Sequence, residues 1–296
     1  MAKELVFEGI ATALITPLDE NGVDYELFGK LLEDQVNSDV AAVVVCGTTG
    51  EASTLTDEEH RECIRFAVEK VAGRKKVIAG TGSNDAAYAI ELTEYACQVG
   101  VDAVLVVTPY YNKATQNGLI KLYTEIADHS TKPVILYNVP SRTGVNIEPS
   151  TYLALSKHHN IVAAKEANGN LSKIVETMAL VGDDLAFYSG NDDQITPLMS
   201  LGAKGCISVL SNVLPNKTAE ICTRFFNGDV KGSAALQFEM LPLVNALFSE
   251  VNPIPVKAAM AALGYCKDYL RLPLTEMEEA HKAVLLAEMR KQGLEV

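Results

Sequence analysis

A chain of 296 residues, 48% hydrophobic and 21% charged, has room for one large globular domain or two small ones. Its formal net charge of −13, from 25 Lys and Arg against 38 Asp and Glu, speaks against nucleic acid or an anionic membrane as partner. No apolar run approaches the roughly 20 residues that span a bilayer. The opening Met1-Ala2-Lys3-Glu4-Leu5 has no apolar stretch that would make a secretory leader, and six scattered cysteines without a C-x-x-C read as core residues of a reducing cytosol; a cytoplasmic protein without a metal centre is expected.

Along the chain a short apolar strand recurs, each time followed by a polar loop and an amphipathic helix. The first strand, 10–15, stops at Thr16-Pro17, and the second, 41–45, at Gly47-Thr48-Thr49-Gly50-Glu51. The third, 76–79, stops at Gly80-Thr81-Gly82-Ser83-Asn84, and the fourth, 103–107, at Thr108-Pro109-Tyr110-Tyr111-Asn112. The fifth, 133–136, stops at Tyr137-Asn138-Val139-Pro140, with Arg142 in the loop beyond. The sixth is Ile161-Val162-Ala163-Ala164, running into Lys165-Glu166-Ala167. The seventh, 185–188, stops at Ser189-Gly190-Asn191-Asp192, and the eighth, 205–209, at Leu210-Ser211-Asn212.

The intervening segments carry helix signals. Thr56-Asp57-Glu58-Glu59 reads as a capping box, its acidic residues favourable at a helix N-terminus. Ile64, Ala67, Val68 and Val71 then form one apolar face, and Gly73 is the expected stop. From about residue 229 the strands cease. Pro253 and Pro255 open one helix, and Pro273 and Thr275 precede another that ends at Lys291-Gln292-Gly293.

Eight units match the size of a (β/α)8 barrel. The expected fold is therefore α/β: a TIM barrel over residues 1–228 with a helical extension over 229–296. A doubly wound sheet is the competing arrangement. Gly80-x-Gly82 lacks the third glycine of a dinucleotide fingerprint, so no such cofactor is expected. His158-His159 precedes the sixth strand, at the wrong end of a barrel for catalysis, and reads as a pair of loop histidines.

Lys165 decides the chemistry. Read alone, its stretch allows a solvent lysine paired with Glu166, or a buried one whose pKa is lowered by desolvation until the free amine attacks a carbonyl. The barrel favours the second reading. Its active site lies at the C-terminal ends of the strands, which brings Thr48, Thr49, Tyr110, Tyr111, Tyr137 and Arg142 to one surface with Lys165. Forming a Schiff base means adding and losing water, and a tyrosine can move those protons, with a threonine relaying between two tyrosines. The N–H groups of Gly47-Thr48-Thr49-Gly50 suit one carboxylate, and the Arg142 fork suits a second.

Taken together, Gly47-Thr48-Thr49-Gly50-Glu51, Thr108-Pro109-Tyr110-Tyr111, Tyr137-Asn138-Val139-Pro140-Ser141-Arg142-Thr143-Gly144, Lys165-Glu166-Ala167 and Asn252-Pro253-Ile254-Pro255-Val256-Lys257 resemble the pyruvate-dependent, Schiff-base lysine aldolase family. Within it the resemblance is to the dihydrodipicolinate synthase family, over essentially the whole chain. It implies that Lys165 forms a Schiff base with pyruvate and that Tyr137 handles the protons. Thr48 would link Tyr137 to Tyr111, supplied by the neighbouring subunit of a tight dimer. Thr49, the Ile207 backbone and Gly190 would hold pyruvate, and Arg142 the carboxylate of L-aspartate 4-semialdehyde. No metal or organic cofactor is implied, because the lysine is itself the electron sink. A homotetramer built from two tight dimers is implied as well.

Sialic acid lyases and sugar-acid aldolases of the same family are the alternative, but they are not expected to keep Ser141-Arg142, nor both Thr48 and Tyr110-Tyr111. A non-catalytic pyruvate-binding barrel is a second alternative. The resemblance further implies an allosteric site at Ala52, Ser53, Asp57, His60, Asn84, Tyr88 and Tyr110. Lysine-inhibited members carry histidine where this chain has Asp57 and glutamate where it has Tyr88, so weak or no inhibition by L-lysine is expected.

Overall fold

The computed structural model describes residues 3–296; the reading of the chain's opening as leaderless rests partly on Met1 and Ala2, which lie outside the described residues. Strand β1 (Gly9–Ala13) is followed by a short hairpin of β2 (Leu18–Asp19) and β3 (Gly22–Val23), which the sequence reading missed despite the Asn21-Gly22 turn signal. Seven further strands follow: β4 (Ala42–Val45), β5 (Lys76–Gly80), β6 (Ala103–Val107), β7 (Val134–Asn138), β8 (Ile161–Glu166), β9 (Ala186–Ser189) and β10 (Gly205–Ser208). They close with β1 into an all-parallel barrel of eight. Closure is visible at Ala11, which registers with Ile207 of β10 on one side and Ala42 of β4 on the other. The strand ends differ from the sequence reading by a residue or two, since an apolar run does not mark where ladder bonding stops.

Helices fill the connections: α1 (Tyr25–Val36), α2 (Asp57–Val71), α3 (Ala86–Val99), α4 (Gln116–His129), α5 (Pro140–Thr143), α6 (Pro149–Leu155), α7 (Leu171–Val181), α8 (Ile195–Ser200) and α9 (Pro215–Phe226). Then come α10 (Val230–Leu247), α11 (Ile254–Ala262) and α12 (Glu279–Lys291) without further strands. The capping box of α2 is formed: Glu59 N donates to Thr56 Oγ1 at 3.2 Å, and Thr56 N to Glu59 Oε2 at 2.9 Å. The left-handed stop begins one residue early, at Ala72, before Gly73.

The strand side chains pack two ways. One set, including Ala11, Ala42, Val44, Ile78, Leu105 and Ile135, fills the barrel interior. The other packs outward under the helices. Leu236, Met240 and Leu285 of the C-terminal helices share a cluster with Ile10 and Cys206 of the barrel, so the extension has no core of its own.

One irregularity aims the site. β7 registers Val134 with Ile161 but Ile135 with Ala163, leaving Val162 as an extra residue. Val162 and Ala163 both pack inside the barrel. Strict alternation from Val162 would turn Lys165 outward; the extra residue resets the phase and brings it inward beside Tyr137.

Candidate active site

Lys165 lies within β8, not beyond it, and is 6% exposed. It registers with Tyr137 on β7 and Tyr188 on β9, and its Nζ stands 4.3 Å from the centroid of the Tyr137 ring. Glu166 is not its partner. That carboxylate faces the opposite side of the strand, where Tyr152 Oη donates to it at 2.7 Å and Asn138 Nδ2 at 3.0 Å. Burial raises the Glu166 pKa, and these bonds oppose the rise. Gly190 is needed where it stands: a Cβ there would lie 2.7 Å from Ala167 Cβ and 3.2 Å from Lys165 Cε. Ile207 is fully buried inside the barrel on β10.

Asp192, which the sequence reading left without a role, is buried beside this group. It accepts from Val209 N at 2.9 Å and Leu210 N at 3.0 Å, fixing the chain just past Ile207. Burial raises its pKa, while hydrogen bonds and the charge of Lys165 pull it back.

Thr48, Tyr137 and Arg142 line one cavity of about 390 Å³ at the C-terminal mouth of the barrel. Thr49 faces a different partner: its Oγ1 accepts from Asn252 Nδ2 at 3.1 Å. Asn252 O in turn accepts from Arg142 Nη2 at 2.8 Å, and Asn252 Oδ1 is buried with no partner among the described residues. Asn252, which the sequence marks only as part of the Asn252–Lys257 stretch and without a role, thus joins Thr49 to Arg142. Arg142 sits on the single turn α5, where a loop was expected. Pro140 at its first position and Gly144 at its left-handed end make that turn possible.

Tyr111 does not join the other site residues of its own chain: it is 88% exposed and lies outside the cavity. Asn84 Oδ1 accepts from the N–H groups of Tyr110 and Tyr111, at 2.8 and 3.2 Å, and so holds their loop. Ala52, Ser53, His60, Tyr88 and Tyr110 line the same cavity as Thr48, Tyr137 and Arg142, and Tyr88 Oη donates to Asp57 at 2.9 Å. Arg61 holds the Asp57 carboxyl below its ordinary pKa. His60 Nε2 meets Gly80 O at 2.8 Å, which requires the ring proton on that nitrogen, and burial lowers its pKa. His158 Nε2 lies 3.0 Å from Asp128 Oδ1.

A lysine buried inside a (β/α)8 barrel, in register with a tyrosine at the C-terminal ends of the strands, has the layout of a barrel enzyme's active site. The chain belongs to the dihydrodipicolinate synthetase family, whose model matches residues 6–292. A 4-hydroxy-tetrahydrodipicolinate synthase of Lachnoclostridium phytofermentans is 54% identical over 291 residues, covering 98% of this chain and 99% of that one. One from Thermoanaerobacter sp. (strain X514) is 51% identical over 290 residues, 98% of each. The crystal structure of dihydrodipicolinate synthase from Aquifex aeolicus superimposes with a TM-score of 0.95 at 45% identity, covering 97% of this chain and 99% of that one.

Proposed function

We propose that the protein condenses pyruvate with L-aspartate 4-semialdehyde, in the route to diaminopimelate and lysine, to give 4-hydroxy-tetrahydrodipicolinate, the product that its relatives' name gives. The observation that carries the reading is the pairing of Lys165 with Tyr137 at the end of the barrel, where Tyr137 lines one cavity with Thr48 and Arg142.

Lys165 Nζ attacks the ketone carbon of pyruvate, and the carbinolamine loses water to form an iminium. Loss of a methyl proton gives the enamine, whose terminal carbon attacks the aldehyde of the second substrate. The amino group of that substrate then adds to the former ketone carbon, closes the ring and expels Lys165. Tyr137 moves the protons, and Thr48 relays them to a second tyrosine, Tyr111, from a neighbouring subunit. The loop at Thr49, with Gly190 and the Ile207 backbone, receives the pyruvate carboxylate, and Arg142 the carboxylate of the semialdehyde. The sequence needs no metal or organic cofactor, since the iminium serves as the electron sink.

The test is an assay of purified protein with both substrates, coupled to excess dihydrodipicolinate reductase and NADPH. NADPH loss that requires both substrates is expected. No turnover, with a borohydride-trappable pyruvate adduct on Lys165, would move the assignment to the sugar-acid aldolases. No adduct at all would favour a binding protein.

A cytoplasmic homotetramer accords with this reading. What supports it is the exposure of Tyr111, and of Leu5, Val175 and Leu201 around a second groove. None of the described helices is long and apolar enough to cross a membrane. The cavity wall at Ala52, Ser53, His60, Tyr88 and Tyr110, with Asn84 holding the Tyr110 loop, is the place for an effector. Where inhibited relatives carry a glutamate stands Tyr88, and the nearby Asp57 is already committed to Arg61 and to the Tyr88 hydroxyl. Among the described residues lining this cavity there is no carboxylate to take an ammonium, so L-lysine should inhibit weakly or not at all. A submillimolar inhibition constant in the coupled assay would overturn this.

A further inference from the structure

The loop that carries Thr48 and Thr49 is held at its far end by a device outside the cavity. Glu51 adopts φ 55°, ψ 32°, a left-handed conformation that glycine takes freely and other residues take at a penalty. Glutamate stands there with its side chain wholly buried, and Glu51 Oε1 accepts from Lys257 Nζ at 2.7 Å, itself wholly buried on α11. Lys257 Nζ also donates to Thr16 O at 3.1 Å, Thr16 Oγ1 donates to Gly50 O at 2.8 Å, and Arg271 N approaches Glu51 Oε2 at 3.3 Å.

Replacing a buried ion pair with apolar groups of similar size is often neutral or favourable for stability, so stability alone does not account for it. The same short helix begins just past Asn252, which holds Thr49 Oγ1 through its side chain and Arg142 through its carbonyl. One element therefore touches the loop twice and the arginine once.

We propose that Glu51 and Lys257 are positioning residues: their ion pair fixes the Gly47–Glu51 loop on α11, and so sets Thr48 and Thr49 relative to Lys165 and Arg142. Neither reaches the cavity. The proposal rests on the Schiff-base reading of the site.

The test compares wild type with Glu51→Gln/Lys257→Met, which leaves no buried charge unpaired. Three quantities are read on the full chain: melting temperature, turnover in the coupled assay, and the rate of borohydride-trappable adduct formation with pyruvate. The variant is expected to melt at or near the wild-type temperature while kcat and the trapping rate both fall at least about fivefold, the result of misplacing a prepared site. A smaller loss in a variant of wild-type melting temperature overturns the proposal. Should the double variant fold poorly, Glu51→Gln/Lys257→Gln, which likewise leaves no buried charge unpaired, is judged by the same criterion. If neither variant keeps wild-type melting, the pair serves stability and the proposal falls. An inactive wild type would instead bring down the assigned reaction, which separates the two failures.

Discussion

Arg142 is tied to Asn252 O by one Nη2 bond and otherwise borders the cavity, so its charge is placed but not neutralised by a carboxylate. Arg142→Ala should raise the KM for aspartate semialdehyde by roughly 10- to 100-fold, the loss of a charge-assisted bond of about 1.5–3 kcal/mol, and leave the KM for pyruvate nearly unchanged. Steady-state kinetics with each substrate varied in turn would measure this; equal effects on both would remove the assigned role. At this scale the sequence was informative because catalytic groups in a barrel cluster at strand ends. It could not say which way Lys165 faced. That depends on Val162, an extra residue visible only once β7 and β8 are paired. Glu166 looked like a salt-bridge partner because it is adjacent in sequence, yet adjacent residues of a strand face opposite ways, and it bonds Tyr152 and Asn138 instead.

Helix α2 was readable end to end, since its cap, its apolar face and its stop are all local signals. The hairpin of β2 and β3 and the single turn α5 were not, being too short to show a period. What fastens α2 to the barrel is equally invisible in sequence: His60 is buried and bonded to Gly80 O on β5. Burial lowers its pKa below the ordinary 6.5, so between the folded value and 6.5 the unfolded chain binds the extra proton. His60 therefore contributes stability that is fully present above about pH 6.5 and is lost as pH falls below it, by at most about 1.4 kcal/mol per pH unit. The melting temperature of the wild type should drop more between about pH 7.5 and about pH 5.5 than that of His60→Gln, whose amide can still donate to Gly80 O. Parallel melting curves would mean that His60 titrates alike in both states.

Over the whole molecule, eight repeats of strand, polar loop and helix made the barrel legible, because closure is what such a count favours. The stretch from Asn252 to Lys257 stood out by resemblance, but what it touches was not legible, since its partners lie about two hundred residues upstream and no local pattern records the pairing. Tyr111 raises the same question across chains: it stands 88% exposed on a loop pinned by Asn84, away from its own Tyr137. If it completes a partner's site, Lys165→Ala and Tyr111→Ala must complement each other. Each variant alone should be inactive or nearly so. Co-expressed, half of the dimers are mixed, and each mixed dimer has one site with both an intact Lys165 and a tyrosine donated by the other subunit. Purified through two different tags, these mixed dimers should regain about half of the wild-type activity per dimer, or about a quarter in the unsorted population. A tyrosine acting within its own chain gives a different result, because a mixed dimer then contains no complete site and its activity stays at the level of the two parents.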